Sequence, residues 1–147
     1  MRNEHWIVVG TDFSDGARCA LMRALSVAEN SGAGVALVHA YEEQPGTKEL
    51  EDPTPKLLGQ LADEIAASGA ARRGIRVEPL VRRGAPWDKI LNVATEYGAE
   101  FVAVGATGQR GVCFWLGSVA SRVLALSARP VIVTPSAVIE SGSRPYL

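Results

Sequence analysis

Cysteine is scarce here. Only Cys19 and Cys113 occur in 147 residues, far apart and without C-x-x-C spacing. That pattern supports neither a thiolate metal site nor a redox pair, and two reduced thiols are expected. Charge of one sign is also missing, because the formal net charge is −1. No global basic field therefore favours nucleic acid or an anionic membrane. No apolar run reaches membrane-spanning length, and "MRNEHWIVVGTD" holds no hydrophobic stretch long enough for a secretory signal. A soluble, cytoplasmic chain is expected. Internal repeats and low-complexity linkers are absent too. Two phosphate fingerprints are missing: no G-x-x-x-x-G-K-[ST] occurs, and no G-x-G-x-x-G follows the first apolar run.

What is present suits a single packed unit over residues 1–147, with a core over about 6–135 and a tail over 136–147. The hydrophobic fraction is 47% and the charged fraction 21%, ordinary for a globular domain. A local cluster of Arg72, Arg73, Arg76, Arg82 and Arg83 reads as a solvated helix end and strand edge.

Short apolar runs alternate with helical patterns. "WIVVGTD" (6–12), "GVALVHAY" (34–41), "IRVEPLV" (75–81), "EFVAVG" (100–105) and "PVIVTP" (130–135) read as strands. The first is continuously apolar, as a strand covered on both faces requires. The third alternates and contains Pro79, which places it at a sheet edge. Between the strands, apolar residues recur at helical spacing. Ser14 or Asp15 opens the first helix, Pro86 suits the first position of the third, and Val119, Val123 and Leu126 mark the fourth. Gly32, Gly74 and Gly98 stand where left-handed helix ends are expected. Five strands and four helices in alternation imply an open five-stranded parallel α/β sheet with helices on both faces.

Ligands of such sheets bind beyond the carboxyl ends of the strands, where the winding reverses. In the order 3-2-1-4-5, strands one and four are neighbours there. Strand one ends in "GTDFS", and strand four ends in "GATGQRGVCFWLGSVAS". Glycines let backbone N–H groups converge on an anion, and Gly117 and Ser118 open a helix whose first N–H groups are unpaired. The same residues serve equally well as a structural loop capped by Ser118. Asp12 suits ribose hydroxyls, a metal ion or the cap of the first helix. Gln109 and Arg110 are candidate phosphate neighbours. His39 reads as a packed strand residue, Phe114 and Trp115 as an apolar clasp for the loop, and Trp87 as packing beneath the third helix. The loop contains no Glu or His to act as a general base, so any ATP hydrolysis is expected to be slow and incidental.

"VVGTDFSDGA", "LVHAY", "RRGAPWDKI" and "VGATGQRG…LGSVASRVL…ARPVIVTP" together resemble the universal stress protein family, from Trp6 to Thr134. The resemblance implies an adenine nucleotide alpha hydrolase-like, Rossmann-like sheet of order 3-2-1-4-5. It also implies a homodimer and, for many members, ATP held with Mg²⁺ through the bound phosphates. The family pattern is Gly, two residues, Gly, nine residues, Gly, then Ser or Thr, and Gly105, Gly108, Gly117 and Ser118 match it. Asp12, beside Thr11, matches the aspartate that contacts the nucleoside. Ala40 matches the residue whose backbone meets adenine, and Val104, Gly105 and Val119 would line the same site. Two departures stand out. Eight residues, Gln109 to Leu116, separate the second and third motif glycines, and Ala120 replaces a hydroxyl that touches phosphate in many members. The expected function is a nucleotide-binding stress or regulatory module, dimeric through the strand-five edge (Pro130 to Pro135). The alternatives are a dimeric interaction module that binds no nucleotide, and a slow ATPase.

Overall fold

The computed structural model describes residues 4–43, 52–107 and 116–136. Along the chain it forms β1 (Trp6–Gly10), α1 (Asp15–Ser31), β2 (Gly34–Tyr41), α2 (Thr54–Ser68), β3 (Val77–Arg83), α3 (Pro86–Tyr97), β4 (Phe101–Gly105), α4 (Ser118–Leu126) and β5 (Val131–Thr134). The strands make one parallel sheet in the order β3-β2-β1-β4-β5.

The alternation of β1 explains why a continuous apolar run is needed. Ile7 and Val9 join Leu21, Leu25, Leu37 and Leu61 in a layer with α1 and α2. Trp6 and Val8 join Ile90, Val93, Val102 and Val123 in a layer with α3 and α4. Both faces of β1 are thus buried, and each such aliphatic side chain contributes about 1.5–3 kcal/mol by leaving water. In the centre of the sheet Val8 sits level with Ala36 on β2 and Val102 on β4.

Three elements depart from their expected spans by two residues or more at an end. The first apolar run stops pairing as β1 at Gly10, two residues before Asp12, because the following turn places Phe13 at φ 65°. α2 ends at Gly69 (φ 75°) and not near Arg73–Gly74. The chain then turns tightly, with the Ile75 N–H donating to the Ala70 carbonyl at 3.0 Å. β3 starts at Val77 and runs on to Arg83, because its ladder with β2 continues to Tyr41. Pro79 lies on an edge strand, as its missing N–H requires.

Four of the five arginines in the basic cluster are ion-paired. Arg73 meets Glu29 at 2.6 Å, Arg76 meets Glu78 at 2.8 Å, Arg82 meets Glu96 at 3.4 Å and Arg83 meets Glu43 at 2.6 Å. Among the described residues no helix is long and apolar enough to cross a membrane.

Glu78 joins three elements. It accepts from Arg76 and, at 2.8 Å, from the Tyr97 hydroxyl, and Tyr97 stands edge-on to Trp6 with ring centroids 5.0 Å apart. The Arg76 hydrogen bond, then that of Tyr97, holds the Glu78 carboxyl below its ordinary value. A depressed carboxylate adds stability above its unfolded pKa and loses it as pH falls through the folded value. Urea midpoints of the parent protein should therefore drop on acidification through the carboxylate range, and Glu78→Gln should flatten part of that drop. Equal slopes for the two proteins would remove Glu78 from the acid response.

Candidate functional site

The carboxyl ends of β1 and β4 diverge around a cleft of about 290 Å³, near the lower end for small-molecule sites. Its first wall is the "GTDFS" turn. The Thr11 N–H donates to the Val38 carbonyl at 2.9 Å, which holds the turn against β2. Thr11 Oγ1 accepts from the Phe13 N–H, and Asp12 Oδ1 accepts from the Ser14 N–H, both at 3.0 Å. Ser14 Oγ in turn caps α1 by accepting from the Ala17 N–H at 3.2 Å. Asp12 thus supports the approach to α1 with the same carboxylate that lines the cleft. His39 packs as expected: Nδ1–H donates to the Thr11 carbonyl at 2.8 Å, and the ring lies against Phe13 with centroids 4.6 Å apart.

The second wall is the start of α4. Gly117 is its N-cap, extended at φ −64° and ψ 165°, and no side chain among the described residues caps it. Three helices begin at this cleft, α1, α4 and, at Pro86, α3, which also lacks a side-chain cap but opens with a proline that has no N–H to offer. Ser14 closes the first turn of α1, while the first turn of α4 opens onto the cleft through Gly117, Ser118 and Val119. The Gly117 N–H donates to the Ala106 carbonyl at 2.7 Å, and the Ala106 N–H donates to the Thr134 carbonyl at 2.8 Å. The exit from β4 and the entry to α4 are thereby tied to each other and to β5.

Val104 and Ala40 supply apolar lining. Of the remaining predicted site residues, Gly108, Gln109 and Arg110 lie outside the described residues, as do Cys113 and the clasp residues Phe114 and Trp115. Ala120 is buried in the α3–α4 layer with Ile90 and Val123, so its methyl is also core. Ser121, one residue on, is exposed, as the 100° step of a helix requires.

Gly105 has a second duty that its motif conceals. A Cβ there would stand 2.8 Å from the Gly16 carbonyl carbon and 3.1 Å from the Ala17 nitrogen. A Cβ on Gly16 would stand 2.9 Å from the Thr107 carbonyl oxygen. The end of β4 and the first turn of α1 therefore touch backbone to backbone. Gly16 escaped the sequence reading, although a glycine in a first helical turn, at a cost in propensity, was the available signal. Pro86 and Ile90 of α3 were missed as a cleft wall as well. Gly10 lets this wall approach, because a Cβ there would collide with the Ile90 side chain.

This geometry can accommodate an anion at the start of α4, where N–H groups with no partner among the described residues converge with the helix dipole. Hydroxyl groups suit the Asp12 side. Among the described residues no three carboxylate, imidazole or thiol side chains converge as a metal site.

Comparison with known proteins gives a consistent result. The family model described as "Universal stress protein family" matches residues 5–135. A universal stress protein of Thermus aquaticus, named for the 3' region of QAH/OAS sulfhydrylase, is 31% identical over 132 residues, 86% of this chain and 96% of that one. A crystal structure of a universal stress protein in complex with cAMP superposes with a TM-score of 0.66 at 28% identity, covering 91% of this chain and 98% of that one. The universal stress protein of Archaeoglobus fulgidus in complex with dAMP gives a TM-score of 0.65 at 25% identity, covering 91% and 99%. With its five-stranded parallel sheet and a model match over nearly its whole length, the chain belongs to the universal stress protein family.

Proposed function

We propose that this protein is a regulatory module that binds an adenine nucleotide, ATP with Mg²⁺ in the first instance, in the cleft between β1 and β4. The observation that carries the reading is the uncapped first turn of α4 facing a wall that holds Asp12. Phosphate oxygens would take the N–H groups at Ser118 and Val119 and the Ser118 hydroxyl. The ribose would lie toward Asp12 and Thr11, and the base toward Ala40. Mg²⁺ would be carried by the phosphates. The cAMP and dAMP complexes of similar proteins support the nucleotide class. The packing of Gly105 on Gly16 favours a second reading for that glycine alone, as a structural contact.

Calorimetric titration with millimolar ATP and Mg²⁺ tests the proposal. The parent should bind, Gly117→Val should bind much more weakly, and Ser118→Ala should lose about 1 kcal/mol of affinity, the worth of one hydrogen bond. No binding by the parent would defeat the reading, and unchanged binding by Gly117→Val would move the site elsewhere.

We further propose that the protein dimerises through the outer edge of β5. The two sheet edges contrast: β3 carries Pro79 and charged residues, whereas β5 reads Val-Ile-Val-Thr, half-buried and without a charge. Among the described residues no strand pairs with this edge, and an unpaired apolar edge is a pairing surface. Light scattering at micromolar protein should report twice the chain mass, and a monomer mass would overturn this part.

A further inference from the structure

Resting on the nucleotide reading above, we propose that Arg122 is the residue by which this cleft distinguishes a polyphosphate from a single phosphate, and that Trp87 holds it ready. The Arg122 guanidinium carbon lies 5.2 Å from the centre of the Trp87 ring. Most surface arginines have an acceptor; Arg23, Arg72 and Arg122 have none among the described residues, and of these three only Arg122 stands on α4. Arg18 meets Glu64, Arg73 meets Glu29, Arg76 meets Glu78, and Arg129 donates to the Ala99 carbonyl. Among the described residues no carboxylate pairs with Arg122, and α4 carries no acidic residue. The neighbouring carboxylate on α3, Asp88, faces Lys89 at 3.6 Å.

Position makes this unpaired cation useful. Trp87 directly follows Pro86, which lines the cleft. Arg122 is four residues beyond Ser118 on α4, about 6 Å along the axis. Helical side chains lean toward the helix N-terminus and cover the preceding turn. That lean carries the Arg122 side chain toward the turn that begins at Ser118, whose residues line the cleft, while Arg122 and Trp87 themselves stand just outside the lining.

Such a group would help to offset the charge of a longer phosphate chain. The start of a helix offers roughly half an elementary charge, which suits one phosphate. Further phosphates would extend the negative charge in a cleft whose opposite wall carries Asp12. The planar guanidinium fork matches phosphate oxygens, and stacking on an indole at a solvent-facing site is weak enough to yield to them. Trp87 acts as a positioning residue, since it keeps Arg122 at the rim without touching the ligand.

Titration of the full-length chain with ATP, ADP and AMP, each with Mg²⁺, tests the proposal. The parent should prefer ATP over AMP by about tenfold, the scale of one charge-assisted contact. Arg122→Gln should bring that ratio to within about twofold while leaving AMP affinity unchanged, because the first phosphate stays on the α4 backbone. Arg122→Lys should keep part of the preference, Trp87→Phe most of it, and Trp87→Ala should weaken ATP alone. A Trp6→Phe, Trp115→Phe background isolates Trp87, whose emission should change with ATP and not with AMP. A ratio unmoved by Arg122→Gln, or an equal loss for ATP and AMP, overturns the assignment. A parent that binds ATP and AMP equally overturns it too and leaves the nucleotide reading standing. A parent that binds neither overturns both.

Discussion

Gly105→Ala should destabilise the folded protein with no ligand present, by about 2–3 kcal/mol, the cost of overpacking a tight site. The new Cβ would stand 2.8 Å from the Gly16 carbonyl carbon and 3.0 Å from its oxygen. Both are backbone atoms that cannot rotate away, so the end of β4 must separate from the first turn of α1. A chain of this size should then melt on the order of 5–10 °C lower. Gly59→Ala is the matching control, because a Cβ there meets nothing within 4 Å and Gly59 lies inside α2. That change should stabilise by about 0.5–1 kcal/mol through helix propensity. Differential scanning calorimetry on the two variants separates the duties of Gly105. If Gly105 served only to admit a ligand, Gly105→Ala would melt with the parent and lose binding alone.

Leu61→Ala should cost about 2–5 kcal/mol, the range for a buried leucine truncated to alanine, and the damage should begin in α2. Leu61 is the only fully buried side chain of that helix. Ile65 is partly buried against the same layer, and Arg18 of α1 holds Glu64 of α2 at 3.0 Å. The remaining surface of α2 is mostly exposed. An element held by one deep anchor opens at lower free energy than the sheet it covers. Hydrogen exchange should therefore accelerate across Thr54–Ser68 well before it does in β1 or β4. Uniform acceleration over the whole chain would show that α2 unfolds only with everything else.

The two variants probe features of different legibility. Leu61 stands at helical spacing from Leu57, Leu58 and Ile65, a pattern that marks the apolar face of a helix whatever lies against it. The tight contact at Gly105 leaves no such pattern. Its glycine motif has the same letters whether it faces a ligand or Gly16, and the two glycines are far apart in sequence. Asp12 shows a similar division: its place just beyond β1 was readable, while its hydrogen bond to the Ser14 N–H depends on Phe13 taking a left-handed conformation. The misplaced end of α2 has a local cause. Gly69 and Gly74 are both left-handed, and only the packing of Ala70 and Ile75 into the core decides that the helix stops at the first.

The order of elements, the parallel sheet and the two chain segments that meet at its switch point are all legible in the amino-acid sequence. Parallel strands buried on both faces need unbroken apolar runs, and helices need their own period, so both leave local traces. Tertiary structure alone decided which helix start stays open, why Ala120 is small, how α3 comes to form a cleft wall, and that Arg122 rests on Trp87 beside it. Each of these depends on atoms from separate elements reaching van der Waals or hydrogen-bond distance, and no local period records such a meeting.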